Sequence, residues 1–165
     1  MTDDKQKFQQ LLAKVAEIKK SGTFDLSLEE DLSIAVMNLI SLEEHFFFSA
    51  EKTGKGEYFD LLQQTREIRK SLLAKMIPVH EGETWCISKH LLATTMRLME
   101  VATKYQTDKK AKEAKETFDQ AYKVYSLFWA IRLKLIHLNQ VKAKDLAPAT
   151  TVEDLVNQLI DCCQE

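Results

Sequence analysis

Residues 27–52, SLEEDLSIAVMNLISLEEHFFFSAEK, decide the fold of this chain. Apolar side chains recur in this stretch at the spacing that places them on one side of an α-helix. Ser27, with Glu30 three residues later, matches a capping box, which starts a helix by satisfying unpaired backbone N–H groups. The stretch runs into KTGKGE, residues 52–57, where glycine stops the helix. It therefore predicts one long amphipathic helix over about 27–52.

The same helical spacing continues on both sides of this segment, and no segment has the alternation of a strand. The connections between the long segments are short, which favours antiparallel neighbours. We therefore expect an all-α fold, an up-and-down four-helix bundle with additional N- and C-terminal helices packed alongside. The core helices are predicted at about 27–52, 57–76, 84–105 and 109–139, and the additional ones at about 4–20 and after Thr151.

The size and polarity of the chain are those of an ordinary globular domain. It has 165 residues, of which 45% are hydrophobic and 29% charged, so we expect one domain over 1–165. No apolar run approaches the roughly 20 residues that span a bilayer. The N-terminus, MTDDKQKFQQ, lacks the apolar core of a signal peptide. We expect a cytoplasmic protein that does not bind a membrane.

The net charge indicates which partners are expected, and the cysteines indicate the redox environment. The formal net charge is −2, whereas a general nucleic-acid-binding protein is usually basic, so a nucleic-acid partner is not expected. The three cysteines, Cys86, Cys162 and Cys163, cannot all pair within one chain. Reduced thiols are the simplest interpretation for a cytoplasmic protein.

Three charged residues fall inside apolar arcs when the helices are projected at about 100° per residue. They are Glu43 on the second helix, Arg69 on the third and Arg132 on the fifth, with Arg66 at the edge of its arc. Other members of the arcs, expected in the core, are Leu28, Leu42, Leu61, Ile68, Met99 and Tyr122.

An isolated buried charge is unfavourable, so these three residues need partners. One interpretation is a structural ion pair of Glu43 with Arg69 or Arg132. Another is a polar pocket lined by Glu43, Arg66, Arg69 and Arg132 that binds a small anionic ligand, phosphate or carboxylate, because the guanidinium fork matches such oxygens. A third is a helix whose apolar stripe faces a partner chain.

The stretch ETWCISKHLLATTMRLME, residues 83–100, places Cys86 and His90 four residues apart on the polar side of the fourth helix. Such a pair could hold one metal from one helix, but a closed zinc site needs four ligands and no Cys-x-x-Cys completes it. The Glu-x-x-His motif of diiron bundles is missing as well. We therefore expect no metal and no cofactor, with Cys86 and His90 as a weak alternative.

RLKLIH, residues 132–137, has the arginine, four residues, histidine spacing and in this resembles the HEPN family of helical-bundle ribonucleases. The resemblance covers six residues, and Leu133 follows the arginine where the family often has a polar residue. It implies that Arg132 and His137 are catalytic residues of a ribonuclease that act across a dimer cleft.

Three consecutive phenylalanines, residues 46–48, cannot all face one core. Phe48 points away from the main arc and joins Ile34 and Met37 in a second apolar strip. This strip packs on a terminal helix or on another subunit, where an exposed apolar strip marks an interface. We therefore expect a non-enzymatic binding or interaction module, self-associating as a homo-oligomer through this strip or docking a protein partner.

Overall fold

The computed structural model describes residues 2–22, 25–77 and 83–135, and these form an all-α bundle without a strand. The predicted ends agree within a few residues for every described helix except the C-terminal end of the last. The third predicted helix agrees at both ends. The helices are α1 (Thr2–Ser21), α2 (Leu26–Thr53), α3 (Glu57–Met76), α4 (Glu83–Thr107) and α5 (Ala111–Arg132).

The N-terminus of α2 differs from the predicted capping box, because Asp25 and not Ser27 is the N-cap. The Asp25 carboxylate accepts hydrogen bonds from the backbone N–H groups of Ser27 and Leu28, both at 3.1 Å. Ser27 lies in the first turn of the helix. At the other end Gly54 closes the helix with φ 67°, a left-handed conformation that glycine adopts without strain.

We predict that Asp25→Ala lowers the free energy of unfolding by about 1 kcal/mol, because two backbone N–H groups lose their acceptor. The change is measured by urea denaturation followed by circular dichroism. Ser27→Ala is the matched control and should change stability by less than about 0.5 kcal/mol. A larger loss for Ser27→Ala than for Asp25→Ala would restore the capping box as the true start of α2.

The four long helices pack as two hairpins, α2 with α3 and α4 with α5, and α2 also packs against α4. Buried alanines on the facing sides, Ala50 on α2 and Ala102, Ala114 and Ala121 in the second hairpin, allow close backbone approach. Contacts between α2 and α5 show their relative direction. Glu29 contacts Arg132, and Ser33, one turn later in α2, contacts Tyr125, earlier in α5. The four helices therefore alternate in direction, which confirms the up-and-down bundle.

One apolar cluster joins the two hairpins. It contains residues from all four long helices and the position after α3: Val36, Met37, Leu73, Met76, Ile77, Trp85, Cys86, Leu92 and Phe128. Two of these residues correct the sequence analysis. Met37 is 4% exposed and is not part of a surface strip, and Cys86 is 3% exposed and does not lie on the polar side of α4.

The predicted arcs were wider than the buried sides of the helices. Their outer members are exposed by 39% to 73%: Leu28, Leu42, Leu61, Ile68, Met99 and Tyr122. In a bundle each helix contacts only the neighbours on its inner side, and an apolar arc can extend beyond them. The large side chain that α5 contributes to the core is Phe128, which is fully buried.

The end of α5 also differs from the prediction, which continued the helix to residue 139. The helix ends at Arg132, because Lys134 has a left-handed backbone with φ 55°. The Leu135 N–H donates to the Ala130 carbonyl at 2.8 Å, the six-residue closure of a Schellman motif.

Of the two additional helices that the sequence predicts, α1 lies within the described residues. In α1, the Lys14 ammonium donates to the Lys134 carbonyl just after α5. The predicted sixth helix lies outside the described residues, as does His137. Among the helices of the described ranges, none is long and apolar enough to cross a membrane.

Candidate functional site

Glu43 and Arg69 form an ion pair between α2 and α3. The Arg69 Nε donates to Glu43 Oε1 at 2.8 Å and Nη2 donates to Oε2 at 3.2 Å. Arg69 is 1% exposed and the Glu43 side chain 14% exposed. This two-bonded geometry matches the shape of the carboxylate and satisfies part of the hydrogen-bonding capacity of both groups. The arrangement is the structural ion pair that the sequence analysis considered.

Arg132 does not join this pair. Its Nε and Nη2 atoms donate to the two carboxylate oxygens of Glu29, at 2.9 Å and 2.8 Å. Glu29 and Glu43 are 14 positions apart in α2, so at 1.5 Å per residue the two ion pairs lie about 21 Å apart along the helix. The three charged residues therefore do not surround one pocket. Arg66 lies one turn from Arg69 on α3 and is half-buried.

Sequence reasoning missed Glu29 and the hydroxyl pair next to it. Ser33 is fully buried, and its hydroxyl lies 2.7 Å from that of Tyr125. The signal for Glu29 was present, because positions 29 and 43 are two heptads apart and project onto nearly the same side of a helix. Ser33 and Tyr125 had no such signal, since neither residue type is unusual on an amphipathic helix. The Glu29–Arg132 and Ser33–Tyr125 contacts join α5, and with it the second hairpin, to α2.

Cys86 and His90 lie in different surroundings. Cys86 belongs to the core cluster, whereas His90 is exposed. Within the ranges 2–22, 25–77 and 83–135, no group of three or more metal-ligating side chains comes together. Of the two residues in the HEPN-like motif, Arg132 is held by Glu29, and His137 lies outside the described residues.

A groove with a volume of about 340 Å³ lies between α2 and α4. We call it the α2–α4 groove. An ion pair between Glu44 and Arg97 bridges the two helices there. The lining combines two apolar side chains with charges of both signs: Ser41, Glu44, His45, Phe48, Lys52, Met96, Arg97 and Glu100.

Phe47 and Phe48 stand beside the groove as an edge-to-face pair, with ring centroids 5.2 Å apart. They are 44% and 48% exposed. Of the predicted second strip, Phe48 and Ile34 are thus on the surface, while Met37 is in the core. Comparison with known proteins adds no family or function, since no protein-family model, curated protein or solved structure matches this chain.

Proposed function

We propose that this protein is a non-enzymatic interaction module that self-associates in the cytoplasm. The observation that supports it is an uneven distribution of exposed apolar side chains. Of the thirteen large apolar side chains exposed in the described part of the chain, nine lie on the α2–α3 hairpin and three on α4–α5. The two hairpins are similar in length, so chance exposure would spread these side chains evenly. Apolar surface is typical of interaction sites where it is contiguous.

The buried and half-buried charges pair within the chain. The guanidiniums of Arg69 and Arg132 bind carboxylates of the same chain, Glu43 and Glu29, and so hold helices together. A pocket for phosphate or carboxylate would have needed both guanidiniums at one place. The odd number of cysteines, which one chain cannot pair completely, supports the cytoplasm as the compartment.

Light scattering during size-exclusion chromatography tests the proposal. We expect the mass to rise with loading concentration from that of the 19.0 kDa chain to twice that value. Because apolar contacts carry the association, raising the salt concentration should not dissociate the larger species. A monomer at every concentration would contradict the proposal.

A further inference from the structure

One exposed line of side chains on α3 has the spacing of a coiled-coil seam. Its members are separated by 4, 3, 4, 3 and 4 residues, which keeps them on one side of the helix. All six are exposed, and the two large apolar ones, Leu61 and Ile68, are 41% and 54% exposed. We call this line the α3 seam: Glu57, Leu61, Gln64, Ile68, Ser71 and Lys75.

The α3 seam is self-complementary in charge. An acidic residue, Glu57, stands at its first position and a basic one, Lys75, at its last, and the positions between them are uncharged. The seam is symmetric about the point midway between Gln64 and Ile68. When a second α3 lies antiparallel across it, Glu57 of each copy meets Lys75 of the other, Leu61 meets Ser71 and Ile68 meets Gln64.

Side chains of α2 extend the same surface. Leu42 and Ile68 directly precede the paired residues Glu43 and Arg69, and α2 and α3 run in opposite directions. The preceding residue in a helix is rotated by about 100°. Because the two helices are antiparallel, this rotation directs the Leu42 and Ile68 side chains to the same outer side of the hairpin. Leu42 is 39% exposed there. The apolar surface thus spans both helices.

The area of this surface suits a dimer. Two adjacent helices make a face about 20 Å wide, and the twenty residues of α3 extend about 30 Å. One copy thus offers about 600 Å², and two copies bury roughly 1,200 Å² together, the lower end of the range for specific interfaces.

We infer that two copies of this chain pack through their α3 seams, antiparallel and related by a two-fold axis near Gln64 and Ile68. This inference rests on the proposed self-association and adds the surface and the arrangement. A two-fold axis makes each contact occur twice, so two Glu57–Lys75 pairs flank an uncharged centre. The α2–α4 groove stays open in each copy.

Charge reversal tests the arrangement. We expect Glu57→Lys and Lys75→Glu each to weaken the dimer roughly 10-fold, because each change replaces two attractive contacts with two repulsive ones. Mixing the two variants in equal amounts should restore the wild-type dissociation constant, since every contact in the mixed dimer is again between opposite charges. The dissociation constants are measured by sedimentation equilibrium.

The control must account for the helix dipole. Glu57 and Lys75 lie in the first and last turns of α3, where their charges also stabilise the helix itself. Asp60→Lys reverses another acidic residue of the first turn that is off the seam. Because Asp60 flanks the seam and does not belong to it, its reversal should change the dissociation constant less than either seam reversal does. The inference would be overturned if neither charge reversal weakened the dimer. It would also be overturned if the mixture of the two variants had a dissociation constant as high as that of each variant alone.

Apolar variants separate this inference from the proposed function. Ile68→Asp should abolish the dimer and Phe48→Asp should leave it intact, with unchanged helical circular dichroism in both cases. If Phe48→Asp dissociates the dimer and Ile68→Asp does not, self-association stands but occurs at the α2–α4 groove, and the seam is wrong. If the wild-type chain is a monomer, the proposed function fails and the seam fails with it.

Discussion

Arg69→Ala will lower the free energy of unfolding by about 3–5 kcal/mol, because removing one partner of a buried ion pair leaves the other charge uncompensated. The Glu43 side chain is 14% exposed, and its carboxylate loses two hydrogen bonds, at 2.8 Å and 3.2 Å. Urea denaturation followed by circular dichroism measures the loss. Typical domains have a total stability of about 5–15 kcal/mol, so this single change removes a large part of it.

The adjacent carboxylate provides the control. Glu44 pairs with Arg97, but these side chains are 45% and 52% exposed. Arg97→Ala should therefore change stability by less than about 1 kcal/mol. Replacing both buried partners, Glu43→Leu with Arg69→Met, should recover most of the loss, since neither charge is then stranded. Equal small losses for Arg69→Ala and Arg97→Ala would show that burial of the first pair has no energetic consequence.

Phe128→Ala will also lower the free energy of unfolding by about 3–5 kcal/mol, through the lost apolar burial and the cavity that remains. Phe128 is fully buried and contacts the rings of Tyr125 and Trp129, with centroids 6.2 Å and 5.5 Å away. It is the contribution of α5 to the cluster that joins the two hairpins. Thermal and urea unfolding measure the effect.

Leu127→Ala is the matched control for this prediction. Leu127 is the preceding residue on the same helix and is 48% exposed. Because about half of its side chain is buried, Leu127→Ala should lower stability by about 1 kcal/mol, well below the loss for Phe128→Ala. If the two variants are equally destabilised, the orientation of α5 described above is wrong, because a rotation of about 100° exchanges these positions.

Phe128 and Leu127 also show what helical periodicity leaves open. The predicted arc of the fifth helix contained Tyr122, which is 73% exposed, and did not contain Phe128, which is fully buried. Periodicity shows that a helix is amphipathic, but a wide arc is compatible with several rotations of the helix. Only packing against a neighbour selects one of them. The same reason explains why Met37 and Cys86 were assigned to the wrong sides.

For the candidate site, the sequence indicated which charges needed partners but not which partners they have. Glu43 and Arg69 were predicted correctly as inward charges, and one of the two considered pairings is the one that forms. Arg132 was also predicted correctly as an inward charge, yet its partner is Glu29, about 21 Å along α2 from Glu43. Which carboxylate Arg132 binds depends on the register between α2 and α5. That register is set by contacts between residues that are distant along the chain.

The sequence by itself determined the all-α class, the number of long helices, the alternation of their directions and their approximate ends, except the C-terminal end of α5. These properties follow from local signals, namely apolar spacing and the glycine turn after α2, together with the short connections. The tertiary structure alone decided which side of each helix is buried, which carboxylate each arginine binds and which apolar side chains remain on the surface. Those properties depend on helix rotation and register, which contacts between distant residues set.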